Sequence, residues 1–285
     1  MDIKLRPARP EDAEACGRIC YEAFKTIAER HNFPPDFPEP EIAIGVMSML
    51  LTDPFFHGVV AEVGGRVAGS NFVSTGDAIA GIGPITVASD LQNGGTGRAL
   101  MSEVLRHAEQ RGARGIRLVQ AAYHNRSLAL YTKLGFDPVE PLSTIQGPAI
   151  LEPVAGRQVR RARMEDLPAC NRLCNDVHGH DRASELGGAI ERGMASVVEH
   201  GGQISGYATL VGFFGHAVAR ASDDLHALIA AASAFPGPGF LLPTRNAETL
   251  RWCLDHGLRI VQPMTLMVTG FYQEPRGPYL PSIMF

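Results

Sequence analysis

The chain repeats itself, and the repetition constrains its architecture before composition is considered. Leu5-Arg6-Pro7-Ala8-Arg9-Pro10-Glu11-Asp12 returns as Val159-Arg160-Arg161-Ala162-Arg163-Met164-Glu165-Asp166. Ala15, Cys16, Arg18 and Cys20 return as Ala169, Cys170, Arg172 and Cys174 at the same spacing of 154 residues. A second match, at a spacing of 137, sets Val60–Gly69 against Val198–Gly206 through the pairs Gly64-Gly65 and Gly201-Gly202. A third and weaker match, at 121, sets Asn125–Tyr131 against Asn246–Trp252. The spacing shrinks twice, so the second copy lacks two stretches of the first. Those stretches should carry whatever only the first copy does.

Each copy opens as a short strand, a turn and a helix. Ala13, Cys16, Ile19, Cys20, Ala23, Phe24 and Ile27 fall on one helical face, as do Leu167, Cys170, Leu173, Cys174 and Val177. Four of the five cysteines are therefore core positions. Their number and spacing give neither a disulfide framework nor a zinc site, and no metal is expected. The Gly-Gly pairs between apolar runs predict hairpins.

A chain of 285 residues, 45% hydrophobic, has length for two domains with a core each. We expect domains at 1–145 and 157–285, with 146–156 as linker inside the proline-bearing stretch Pro138–Gly156. The formal charge is -4 and no basic run occurs, so nothing points to nucleic acid. The opening MDIKLRPARPED has no apolar stretch. The longest such run, Ile42–Leu51, is far short of the about 20 residues of a membrane span. A soluble, cytoplasmic protein is the expectation.

The chemistry sits in the first copy. Ala80–Ser89, AGIGPITVAS, reads as a buried strand broken by Pro84. Leu91-Gln92-Asn93-Gly94-Gly95-Thr96-Gly97-Arg98 follows. Then Leu100, Met101, Val104, Leu105 and Ala108 mark an amphipathic helix that ends at Gly112. A strand, a glycine-rich turn and a helix start make an anion seat, because the first helical turn has unpaired N–H groups and partial positive charge. Glycine lets a phosphate approach the backbone, and Arg98 adds a cation. The segment is neither G-x-x-x-x-G-K-S/T nor G-x-G-x-x-G, since Leu100 stands where the last glycine would. It is Q-x-x-G-x-G, from Gln92, Gly95 and Gly97.

That motif, together with Asn125-Arg126-Ser127-Leu128-Ala129-Leu130-Tyr131-Thr132-Lys133-Leu134-Gly135-Phe136 further on, resembles the GNAT acyltransferase superfamily. The likeness is good over residues 3–140 and faint over 157–270. It implies an α/β (α+β) fold of two tandem GNAT-type domains, each a mixed, mostly antiparallel sheet flanked by helices. It implies an N-acyltransferase using acetyl-CoA, or another acyl-CoA, with a small-molecule or protein amine as acceptor. The chain would be a monomeric pseudo-dimer or a homodimer. Ile85, Thr86 and Val87 would pair with the pantetheine arm, and Gln92, Asn93, Gly94, Gly95, Thr96, Gly97 and Arg98 would cradle the pyrophosphate. Tyr131 would protonate the leaving thiolate. The family's asparagine falls on His124 here, with Asn125 one place later, so either is a cofactor contact, and Ser127 is another.

The second copy has Ser222-Asp223-Asp224-Leu225 at the corresponding helix start, where carboxylates suit a cap and repel a pyrophosphate. At a spacing of 121, Trp252 stands opposite Tyr131. This copy is expected to bind no CoA. On the acceptor side His57, Glu62 and Asp77 are the candidate bases, and His31–Pro38 is a candidate pocket wall. A non-catalytic acyl-CoA sensor is the alternative reading.

Overall fold

A computed structural model describes residues 2–284. The chain forms two compact units: 2–118 with 123–135 and Met284, and 119–122 with 136–283.

In the first unit the elements run β1 (Ile3–Pro7), α1 (Ala13–Arg30), α2 (Pro40–Thr52), β2 (Phe56–Val63) and β3 (Arg66–Ser74). They continue as β4 (Ile79–Ile82), β5 (Thr86–Val87), α3 (Thr96–Gln110), β6 (Gly115–Ala121) and α4 (Asn125–Lys133). The strand order is β1-β2-β3-β4-β6, with β5 also on β3. All pairs are antiparallel except β4 with β6. The apolar run Ile42–Leu51 is helical, inside α2, and buries Ala43, Met47 and Leu50, the last two in a core shared with Cys16, Cys20, Val60 and Phe72.

In the second unit β7 (Asp137–Gln146) precedes β8 (Gln158–Arg161), α5 (Leu167–His178), α6 (Ala183–Glu191), β9 (Ser196–His200) and β10 (Gln203–Ala208). Then come β11 (Ala217–Ala219), α7 (Ser222–Ala230), β12 (Phe240–Pro243), α8 (Ala247–Asp255), β13 (Arg259–Gly270) and β14 (Tyr279–Leu280). One sheet has the order β14-β11-β10-β9-β8, and β7 lies between β13 and β12, antiparallel to both. The strand β14 lies in the chain's final stretch.

The duplication holds at the level of side chains. Arg6 donates to both carboxylate oxygens of Asp12 at 2.7 and 2.8 Å and to Glu62 at 2.7 Å. Arg160 does the same to Asp166 at 2.7 and 2.9 Å and to Glu199 at 2.8 Å. Both hairpins turn on two left-handed glycines, with φ 59° and 80° at Gly64 and Gly65 and 58° and 76° at Gly201 and Gly202. Both carry the same bulge, between Val67 and Gly69 in one copy and between Ile204 and Gly206 in the other. The cysteine pairs are wholly buried, and burial pushes the Cys16 thiol up to about 11 and Cys170 to about 12. They are packing groups. Much of the first deficit of the second copy lies in its helices, α1 having 18 residues against 12 in α5, and α2 having 13 against 9 in α6, and part in a shorter connection between them.

Among the described residues no helix is long and apolar enough to cross a membrane.

Candidate functional site

The apolar run Ala80–Ser89 is interrupted at Pro84, between β4 and β5. Its first part pairs Ile82 with Val73 and its second pairs Thr86 with Ser70. Three residues therefore face two, and the chain bulges at Gly83-Pro84-Ile85. Opposite, Gly69 is obligatory, because a Cβ there would lie 2.3 Å from the Thr86 carbonyl oxygen. After β5 the chain makes one 3-10 turn, Ser89–Leu91, and Gln92 folds back to donate from Nε2 to the Val87 carbonyl at 3.0 Å.

Gly95, left-handed at φ 91°, is the N-cap of α3. Among the described residues none of the backbone N–H groups from Gln92 to Arg98 donates to a backbone carbonyl. The first internal bond of the helix runs from the Ala99 N–H to the Gly95 carbonyl at 3.0 Å. Open amides therefore converge at a helix N-terminus. The Thr96 side chain, 1% exposed, keeps its hydroxyl without a partner among the described residues. Arg98 stands exposed at the edge, in no ion pair among them. A Cβ on Gly97 would meet Leu130 Cδ2 at 3.6 Å and Val87 Cγ2 at 3.9 Å, so the turn sits against β5 and α4 together.

Helix α4 completes the constellation. His124 is its N-cap: Nδ1 accepts from the Ser127 N–H at 3.3 Å, and the Ser127 hydroxyl donates to the His124 carbonyl at 2.9 Å. Burial foremost, then the neighbouring Arg126, depresses the His124 pKa, which keeps the ring neutral and able to accept. Asn125 is exposed. Arg126 reaches over to donate to Gln92 Oε1 at 2.6 Å and to Asn93 Oδ1 at 3.5 Å. Neither Arg126 nor Leu130 stood out in the sequence, although both lie inside the segment that carries the resemblance. Tyr131 is 6% exposed, and burial raises its pKa well above that of a free phenol, so it holds its proton at neutral pH.

The candidate bases fare unevenly. Glu62 is spent on Arg6 in the duplicated ion triad. The His57 ring stacks on His107 of α3 at 3.8 Å and 5°. Asp77 lies in the connection between β3 and β4. The His31–Pro38 segment crosses from α1 to the β6–α4 junction. Its Phe37 meets Phe24 edge-on at 6.0 Å, and its Phe33 stacks on Tyr123 at 4.4 Å and 11°.

In the second copy, register on β10 makes Ala217, Val218 and Ala219 the counterparts of Ile85, Thr86 and Val87. The outer edge of that strand is taken by the chain's own tail: Val218 pairs with Tyr279, Ala217 pairs with Leu280, and the Ala219 N–H donates to the Pro278 carbonyl at 3.0 Å. At the start of α7 the Asp224 carboxylate accepts from the Ala221 N–H at 3.2 Å, from Ser205 at 2.8 Å and from Arg157 at 2.5 Å. The cap expected of Ser222–Leu225 is present.

One alignment changes. Asn246 caps α8 through Oδ1, accepting from the Thr249 N–H at 3.2 Å, as His124 caps α4. The equivalent caps are 122 residues apart (His124 to Asn246), not 121, so Cys253 and not Trp252 occupies the place of Tyr131. Anchoring on asparagine misleads because imidazole and amide are interchangeable as cap acceptors. Trp252 instead stacks on His226 at 4.4 Å and 2°.

Residues 21–136 match the model of the Acetyltransferase (GNAT) family. Among solved structures, a candidate acetyltransferase from Pyrococcus horikoshii is 18% identical, with TM-score 0.74 over 97% of this chain and 94% of that one. A tandem GNAT protein from the clavulanic acid biosynthesis pathway is 14% identical, with TM-score 0.55 over 94% and 98%. A GCN5-related N-acetyltransferase from Kribbella flavida is 15% identical, with TM-score 0.56 over 94% and 72%. At these identities the structures speak for the tandem fold. No curated protein matches.

Proposed function

We propose that this chain, a GNAT acetyltransferase by its residues 21–136 and a tandem GNAT protein in fold, binds acetyl-CoA in its first copy and transfers the acetyl group to an amine. The observation that carries the reading is the row of open amides from Gln92 to Arg98 at the α3 N-terminus. These donors and Arg98 suit a diphosphate, and the buried, unpartnered Thr96 hydroxyl supplies a further polar group at the helix start. Val87 and Leu130, on either side of Gly97, bring the strand and α4 to the same seat. Arg126 pins Gln92 and Asn93 and so holds the loop open to its ligand.

Acetyl-CoA, when bound, supplies a thioester whose C–S bond breaks as the C–N bond to the amine forms. Tyr131 gives its phenolic proton to the departing sulfur, burial keeps that proton in place until then, and the proton that the nitrogen sheds as the amide forms passes to solvent, from which Tyr131 regains its own. The backbone of β5 and the bulge before it aligns the pantetheine arm. His124 acts as the α4 cap that positions Tyr131, and Ser127 secures that cap.

The second copy, in this reading, binds no CoA. Its cofactor edge is filled by Pro278–Leu280, and the Asp224 carboxylate takes the place of an anion at α7. Free-thiol release from acetyl-CoA across a panel of primary amines tests the function. Release that requires both protein and amine supports it, and CoA binding without release from any amine leaves only a sensor.

A further inference from the structure

Two buried hydroxyls beside the acyl strand have no use in the mechanism so far. Ser70 and Thr86 stand directly opposite each other in the β3–β5 pair, so their side chains share a face. They are 0% and 4% exposed. Among the described residues Thr86 Oγ1 has no hydrogen-bond partner. Ser70 Oγ finds only the Cys16 thiol, whose ionisation it eases, and no hydrogen bond of ordinary geometry. Buried polar groups are almost always partnered, and an exception calls for an explanation.

The face is informative. Val87 points to α3, since its Cγ2 lies 3.9 Å from where a Gly97 Cβ would be. Alternation turns Thr86 to the opposite face, toward α1, where Cys16 lies and from which the His31–Pro38 segment departs. The phosphate seat is on one side of the strand and the hydroxyl pair on the other.

The second copy is an internal control. At the same register it has Tyr207 for Ser70 and Val218 for Thr86. Its single hydroxyl is engaged, Tyr207 lying 2.9 Å from His216 Nε2, and the ring fills the space. Among the described residues, the facing hydroxyl pair occurs in the copy that keeps the glycine-rich turn and not at the same register of the other.

We propose that Thr86, backed by Ser70, receives the acceptor amine of the transferase reading above, on which this inference rests. The neutral amine donates one N–H to Thr86 Oγ1, and the Thr86 hydroxyl donates onward to Ser70 Oγ. The nitrogen lone pair is then left free to face the thioester carbon. No proton is transferred in this step. The acceptor is an amine with at least one N–H, which it donates to Thr86 while its lone pair attacks.

The test compares Thr86→Val and Thr86→Ser with wild type, using the amine of the panel that wild type turns over fastest. Thr86→Val is expected to lower kcat/KM for the amine by about 10- to 100-fold, with the Kd for CoA within about twofold of wild type. Its Tm should be unchanged or higher, since a methyl replaces an unpartnered buried hydroxyl. Thr86→Ser should recover activity to within about threefold of wild type, because the hydroxyl returns. Thr86→Val with unchanged kcat/KM, or Thr86→Ser as impaired as Thr86→Val, would overturn the assignment while leaving the transferase reading intact. Wild-type protein that binds CoA but releases thiol with no amine would end both.

Discussion

Gly97 separates stability from binding, and the two should move in opposite directions. Its φ is not in the left-handed region, and an added Cβ would meet only Leu130 and Val87, at 3.6 and 3.9 Å, which is ordinary contact. Gly97→Ala should therefore fold and gain about 0.5–1 kcal/mol from reduced backbone freedom in the helix. For a unit of this size that is roughly 2–4 °C in Tm. The same methyl occupies the approach to the diphosphate seat, so CoA binding should weaken. Gly97→Glu adds charge. A carboxylate about 4 Å from a phosphate costs about 1 kcal/mol in water and about 4 kcal/mol at an effective dielectric near 20. That is roughly 5- to 1000-fold in Kd, partly recovered at high salt. Calorimetric titration of CoA reads the affinity, and circular dichroism confirms that both variants fold. A folded Gly97→Glu whose Kd stays within twofold of wild type would refute the seat, and a destabilised Gly97→Ala would refute the packing on which it is built.

Three further outcomes follow from the same structure. Tyr131→Phe should lower kcat by about 100-fold or more with the CoA Kd unchanged, as expected for loss of a general acid; equal turnover in steady-state assays would assign Tyr131 to packing. His57 and His107 both have depressed pKa values, chiefly from burial, so the folded state prefers them neutral. Their contribution to stability should be complete above the unfolded pKa of about 6.5 and fade as pH falls through it, giving a Tm decline between about pH 7 and 5 that His107→Phe flattens. Arg157→Ala leaves the Asp224 side chain, 2% exposed, without its cation and should cost about 3–5 kcal/mol in the second unit, followed in denaturant by the fluorescence of Trp252, the chain's one tryptophan.

Local and repeated features were legible in the sequence, and long-range pairings were not. The hairpins follow from Gly-Gly pairs that only left-handed backbone explains, and the α3 start follows from a glycine-rich turn between an apolar run and an amphipathic helix. The Arg6–Asp12–Glu62 triad is implicit in the repeat, because its residues recur as Arg160, Asp166 and Glu199, but the contact is visible only once β1 lies on β2. Nothing local announces that Tyr279 and Leu280 take the edge of β11, or that Glu140 of β7 accepts from Arg245 and from Tyr279 across 105 and 139 residues. The break at Pro84 was legible in the strand's own residues, but the register that sets three residues there against two of β3 is seen only in the pairing. Arg126 is unremarkable among the polar residues of an exposed helix start, and its part emerges only when Gln92 is seen 2.6 Å away.

Amide hydrogen exchange of the full chain with and without CoA tests directly whether one copy, and which, holds the diphosphate. Slowed exchange should be confined to Gln92–Arg98, to the strand Ile85–Val87 and to the first turn of α4, with Arg220–Leu225 unchanged. Protection at Arg220–Leu225, or CoA binding that leaves Gln92–Arg98 exchanging as before, would contradict the account.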